Sequence, residues 1–250
     1  MTVAIISDIH ANLEGLSAVL AEIDSRGIDT VVCLGDLVGY GADPDACVSA
    51  VMPRCAQVVR GNHDKAVAGI LDVEWFNPAA RAAALWTREA VRPETLEVIR
   101  GLQQGPCVLA QDESVLLCHG TPFDEDVYLL DDGSILETYE ALDAQFPAAR
   151  VCFNGHTHVP LVVSRRGDGR PQALRKPQEV ELDANSVYLI NPGSVGQPRD
   201  GIALASFGIL DTGRMVYTNV RTPFEVQETQ RKILQAGLPQ SLARRLAEGR

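Results

Sequence analysis

Residues 151–160 read VCFNGHTHVP, and two features of the stretch decide how the rest of the chain is read. A short apolar run ends in a glycine, and two histidines follow it one residue apart. The run has the length of a buried strand, so His156 and His158 fall just past a strand's C-terminal end. The chain has only five histidines, and the other three repeat this placement. His10 follows the apolar run 3–7 in SDIH, His63 follows 57–60 in RGNHD, and His119 follows 114–118 in CHG. In open α/β sheets that edge is where loops from distant sequence converge and ligands bind.

Working outward, strands alternate with helices. Leu13, Leu16, Leu20 and Ile23 recur at helical spacing until Gly27, and 30–34 reads as the next strand. A helix is expected over 45–52, ended by Pro53, and helical patterns fill 78–101, with Pro93 at a tolerated first-turn position. The second half offers strands at 114–118, 150–153 and 186–190, a helix over 135–146, and a hairpin whose runs 203–210 and 215–219 flank Asp-Thr-Gly-Arg. The tail 225–250 reads as helix in two pieces, broken at Gly237 and Pro239. The class is α/β.

At 250 residues, with 46% hydrophobic side chains and no Ser/Gly/Pro-rich linker, the chain reads as a single domain. Segment 72–105 is a candidate helical cap, and 225–250 are C-terminal helices that could pack on a second copy in a homo-oligomer. No apolar stretch reaches membrane-spanning length, and MTVAIISDIH lacks the basic start and cleavage site of a signal peptide, so a cytoplasmic protein with no membrane partner is expected. A net charge of -11 repels a phosphate backbone, so non-specific nucleic acid binding is not expected. The six cysteines form no CxxC pair and read as buried thiols rather than a disulfide framework or zinc–thiolate site.

A lone strand-end histidine is more often structural than a ligand, and Asp36 alone fits an ordinary turn. The joint pattern carries the argument, because Asp8, Asp36, Asn62 and Asp64 accompany the histidines at the same edge. Imidazole, carboxylate and amide without thiolate suit Mn, Fe, Co, Ni or Zn. Asp8, His10, Asp36, Asn62, His119, His156 and His158 are too many ligands for one ion. A shared carboxylate would let two ions sit roughly 3.5–4 Å apart.

The ordered motifs Asp8-x-His10, Gly35-Asp36, Gly61-Asn62-His63-Asp64, His119-Gly120 and Gly155-His156-Thr157-His158 resemble the calcineurin-like metallophosphoesterase superfamily. SDIHANLEGL, LGDLVGYGADPDAC, RGNHDKAV and INPGSVGQPRD look like its small bacterial phosphodiesterase-like branch, and the resemblance covers about residues 1–220. It implies a four-layer α/β/β/α sandwich with a dimetal centre at the strand ends. Carried over by motif, Asp8, His10 and His158 hold one ion, Asn62, His119 and His156 the other, and Asp36 bridges them. The two ions would be divalent or mixed-valence transition metals, Mn or Fe being favoured. The implied reaction is hydrolysis of a small-molecule phosphodiester, nucleotides and cyclic nucleotides included, by in-line attack of a metal-bridging hydroxide. Phosphomonoester hydrolysis is the alternative, and a non-catalytic scaffold is a further one.

His63, left over as a ligand, is the candidate proton donor or phosphate contact, and Asp64 either orients it and raises its pKa or caps a helix. The second motif reads GDLVGYG, with Tyr40 in the region where protein phosphatases carry an arginine, which weakens a protein-phosphatase assignment. Tyr40, Arg199 and Asp200 are read as bordering the pocket or forming a turn, and Asn191 as tying its loop or supporting a ligand. A metal-dependent amidohydrolase also uses His-x-His, but would place it near the first strand and leave GNHD unexplained.

Overall fold

The computed structural model describes residues 1–175 and 178–250. Two six-stranded sheets organise it. Strands β1 (Thr2–Ile6), β2 (Thr30–Cys33) and β3 (Gln57–Val58) run parallel and form half of the first sheet. Its antiparallel half comes from β11 (Ala205–Asp211), β12 (Val216–Thr222) and β9 (Glu179–Glu181), in the order β3-β2-β1-β11-β12-β9. The second sheet repeats the plan. Strands β5 (Asp112–Leu117), β6 (Val151–Phe153) and β10 (Ser186–Asn191) are parallel, with β4 (Cys107–Leu109) antiparallel on one edge and β7 (Leu161–Arg166) and β8 (Gln172–Arg175) on the other. The parallel strands read as continuous apolar runs because both faces are covered.

Alternate side chains of those runs serve different cores. Val3 and Ile5 join Val32, Leu34, Val115, Leu117, Val151 and Phe153 between the sheets. Ala4 and Ile6 point outward, onto Leu16, Val19 and Ile23 of helix α1 (Leu13–Ser25) and Val48 and Val51 of α2 (Pro44–Arg54). Helix α3 (Asn62–Val67) follows β3, and α4 (Pro78–Ala90) and α5 (Pro93–Arg100) come next. Ile99 of α5 also joins that outer core. On the far side, α6 (Asp132–Gln145) lays Ile135, Tyr139 and Leu142 on Leu116, Cys152 and Leu189. The result is the expected four-layer α/β/β/α sandwich.

Tyr139 ties the last two layers together, since its buried hydroxyl bridges the carbonyls of Val163 (3.1 Å) and Val187 (3.2 Å) across β7 and β10. Tyr139→Phe is expected to cost about 1–2 kcal/mol in a denaturant melt.

Local readings mostly match, with instructive exceptions. Pro53 lies inside the last turn of α2 rather than ending it. The carbonyl its missing N–H would have met belongs to Ser49, which is exposed, so water can take the bond. The third strand is two residues long, its continuation reduced to a bridge between Val59 and Gln103. Strands β4, β7, β8 and β9 were not anticipated, and three of them, β4, β8 and β9, are sheet edges. The tail forms α7 (Val226–Gln235) and α8 (Gln240–Glu248), broken at Gly237 and Pro239 as expected. All six cysteines are free thiols, four of them fully buried. Among the described residues no helix is long and apolar enough to cross a membrane.

Candidate metal centre

The parallel halves of the two sheets deliver their C-terminal ends to one place. The loops after β1 and β2 are laced together by backbone bonds from Asp8 N to Gly35 O (3.0 Å) and His10 N to Asp36 O (2.8 Å). Below, Gly155 N donates to His119 O (2.7 Å), joining the loops after β5 and β6. The two pairs meet where His156 N donates to the Asp8 carboxylate (3.1 Å). Asp8, His10, Asp36, His156 and His158 all adopt φ between 50° and 64°. The left-handed region costs a non-glycine residue about 1–2 kcal/mol, so five strained residues in one spot mark a functional arrangement held by its surroundings.

Hydrogen bonds at one ring nitrogen orient the other. Nδ1–H of His10 donates to Val38 O (3.2 Å), that of His119 to Leu34 O (2.8 Å) and that of His158 to Gln197 O (2.6 Å). Each bond fixes the tautomer and leaves Nε2 as a lone pair. Those lone pairs face other acceptors. His10 Nε2 lies 3.0 Å from His158 Nε2, and His119 Nε2 lies 3.2 Å from Asn62 Oδ1. Asp36 Oδ2 sits 3.4 Å from both His10 Nε2 and His119 Nε2, and His158 Nε2 is 3.3 Å from Asp8 Oδ1. Although buried, Asp36 Oδ2 accepts no hydrogen bond. Converging acceptors around an orphaned carboxylate oxygen are unfavourable by themselves and become favourable around cations.

The donors fall into two groups that share Asp36. Ligand atoms of Asp8, His10, Asp36 and His158 lie within 4.8 Å of one another, and so do those of Asp36, His119 and His156. His156 is turned the other way, its Nε2 meeting Asp126 O (3.2 Å) and leaving Nδ1 for the cluster.

Electrostatics agree with the geometry. Burial pushes His156 down to about 3 and holds His10 and His158 well below the usual imidazole range, which keeps them in the neutral form that binds metal. For His119, burial works against charge, but Asp36 and Asp8 beside it push it up to about 10. The cluster therefore calls for positive charge at that ring, as a proton or as a cation. Burial raises Asp8 to about 7. Burial opposes the charge of Asp36 as well, yet His119, His63 and His10 hold it well below the ordinary carboxylate value.

A family model of the calcineurin-like phosphoesterase superfamily domain matches residues 1–215. The chain belongs to this superfamily. An uncharacterised protein of Methanocaldococcus jannaschii is 38% identical over 99% of this chain and 98% of its own length. The crystal structure of a metallophosphoesterase from Sphaerobacter thermophilus superposes with a TM-score of 0.83 at 35% identity, covering 100% of both chains. A hypothetical protein of Pyrococcus horikoshii shares the fold, with a TM-score of 0.78 at 17% identity over 100% of this chain and 98% of that one. Membership in this superfamily and the buried Asp/His cluster together point to a divalent-metal site.

Within this superfamily member, His63 lies beside the cluster without belonging to either ligand group. Its ring packs on Tyr40 (4.3 Å between centroids), Phe76 (4.7 Å) and His10 (4.9 Å), and its Nδ1 is buried with no hydrogen-bond partner. Asp64 does not orient it. The Asp64 carboxylate accepts from Leu37 N (2.9 Å), Val38 N (3.2 Å) and Gly61 N (3.0 Å), so it caps α3 and pins the loop after β2. Nor is His63 raised, because burial lowers it to about 4. Asn191 Nδ2 donates to Gly155 O (2.6 Å) and Thr157 Oγ1 (3.0 Å), tying the His156 loop from behind. Asp200 is engaged by Arg221.

A cavity of about 440 Å³ opens beside the centre, with Asn62, His63 and His156 on its inner side and Trp75, Phe76 and Tyr128 further out. Of the segment expected as a cap, the part around Trp75–Ala80 borders this cavity, whereas α5 belongs to the outer helix layer. Sequence reasoning missed Tyr128, stacked on His156 at 3.8 Å, and Asp126, held in place by Lys65 at 2.7 Å. Neither lies in a motif, and their only signal is proximity to His119 along the chain. It also missed why Gly39 is a glycine. Its φ is +87°, and a Cβ there would come within 2.5 Å of His63 Nδ1. Gly39→Ala should tilt His63 away and cost about tenfold or more in turnover, read by steady-state kinetics, while metal content by elemental analysis stays at the wild-type level.

Proposed function

We propose that this chain is a two-metal phosphodiesterase acting on small organic phosphodiesters. The observation that carries the reading is Asp36, whose unpartnered Oδ2 stands between His10 Nε2 and His119 Nε2 and belongs to both ligand groups. Asp8, His10 and His158 would hold one ion with it, and Asn62, His119 and His156 the other. Manganese or iron suits this nitrogen and oxygen donor set. Two such ions supply charge neutralisation at the phosphoryl oxygens and water activated at neutral pH.

The remaining work falls to the protein. His63 lines the cavity, and with Nδ1 buried against Gly39 its other nitrogen, Nε2, is the one offered to a substrate. An acceptor lone pair left unpaired costs less than a stranded N–H, so the proton belongs on Nε2, where it hydrogen-bonds the leaving oxygen. The apolar wall of Leu71, Trp75, Phe76 and Ala80 seats the second organic group, which favours a diester over a monoester.

The test is hydrolysis of bis-p-nitrophenyl phosphate against p-nitrophenyl phosphate by metal-stripped protein given back Mn²⁺. The expected result is metal-dependent cleavage with the diester preferred, lowered about a hundredfold in His63→Ala at unchanged metal content. Preference for the monoester would make the protein a phosphatase, and no metal-dependent cleavage of either ester would sink the hydrolase reading.

A further inference from the structure

Two arginines without side-chain carboxylate partners among the described residues flank the site. Arg199 lies in the loop after β10, and Arg245 on α8. Their guanidinium groups stand 5.9 and 5.8 Å from the centroid of the same ring, that of Tyr40. That ring in turn meets His10 at 4.6 Å and His63 at 4.3 Å. One aromatic side chain therefore separates the arginine pair from the cluster.

The partners of Arg199 are neutral. Arg199 donates to Gln197 Oε1 (3.1 Å) and Tyr40 Oη (3.4 Å), and its buried Nε has no acceptor. Arg245 Nε donates to a main-chain oxygen of Arg250, the last residue of the sequence, and meets no described side-chain carboxylate. Neither forms an ion pair with a side-chain carboxylate among the described residues, although the chain carries 33 acidic residues against 22 basic ones. Arg54, Arg60 and Arg221 each find one. Burial and the charge of Arg199 both disfavour the charged form of Arg245, so the pair is held together at a cost. Guanidinium forks free of side-chain carboxylates beside a phosphoesterase centre match the geometry of a phosphoryl group.

The geometry points to an anion subsite in which Arg199 and Arg245 hold a second phosphoryl group of the substrate, beyond the one at the metal cluster. The substrate class is then a phosphate ester with at least two phosphoryl groups, an inference that rests on the phosphoesterase reading above. Half of the subsite is contributed by α8, which lies outside the residues 1–215 matched by the family model.

Calorimetric titration of Mn²⁺-loaded protein with AMP and with α,β-methylene-ADP tests it, because the two probes share adenosine and differ by one phosphoryl group. The wild type is expected to bind the diphosphate about tenfold or more tightly than the monophosphate, and R199Q and R245Q to bring that ratio close to one. Arg245 is half-exposed, so R245Q keeps the test open should R199Q fail to fold. A wild-type ratio near one, or a wild-type ratio retained in folded R245Q, would overturn the subsite. Binding is read without turnover, so failure of the hydrolase reading shows separately, in the bis-p-nitrophenyl phosphate assay.

Discussion

Asp36→Asn is expected to lower metal-dependent hydrolysis about a thousandfold or more and to cut the bound metal measured by elemental analysis. The substitution is close to isosteric, and it spares the Oδ1 that accepts the backbone N–H of His63 at 2.8 Å. What changes is the other atom. A neutral amide replaces the oxygen that lies 3.4 Å from His10 Nε2 and His119 Nε2, and its N–H groups can satisfy the imidazole lone pairs that a cation would otherwise bind. The metal-free protein should then melt at the wild-type temperature or above it. The wild type should gain about 3 kcal/mol from Mn²⁺ at a hundred times its dissociation constant, and the variant much less. A variant that kept both the metal content and the melting shift of the wild type would remove Asp36 from the bridging position.

Gly61→Ala should be nearly as damaging, for a reason that backbone conformation alone does not suggest. Gly61 has φ -96° and ψ 174°, which any residue adopts, and alanine in such a place ordinarily stabilises by restricting the unfolded chain. Here the new Cβ would lie 2.1 Å from Asp36 Oδ1 and 2.4 Å from Asp36 N. Asp36 cannot yield easily, since its backbone is already at φ 54° and its carboxylate is the atom group both ligand sets share. We expect a loss of about 2–3 kcal/mol, a melting temperature lower by roughly 5–10 °C, and turnover reduced about a hundredfold with partial loss of metal. Gly101→Ala is the control, because its nearest foreign atoms would be at 3.5 Å and its φ is -81°. Equal melting temperatures for the two variants would show that the loop after β2 has slack the close packing does not suggest.

Much of this architecture was legible because the information is local. The runs 3–7 and 30–34 are apolar on both faces since a parallel strand inside a sandwich is covered on both sides, and Leu13, Leu16, Leu20 and Ile23 repeat at helical spacing since one face of α1 packs on the sheet. Strands at the edges were harder to see. Gln172–Arg175 and Glu179–Glu181 carry charged and polar residues, and short edge strands have neither a second face to bury nor a strong pattern to show. Pro53 misled because its effect on α2 depends on whether Ser49 is wet, and solvent exposure is not a property of the dipeptide.

The sequence by itself determined which residue types stand at the ends of the parallel strands, and with them the donor chemistry of the centre, because a strand's length and apolar run locate its end within a few residues. Only the tertiary structure decided what each donor faces. Asp8 and His156 are 148 residues apart, and their bond depends on how the two sheets pack rather than on either motif. The same packing turned Asp64 toward the backbone of Leu37 and Val38 instead of His63, gave Gly39 and Gly61 their steric reasons, and brought Arg245 of the last helix beside Tyr40. Contacts of a few ångströms between distant segments are fixed by the summed packing of the layers between them, and no single segment carries that sum.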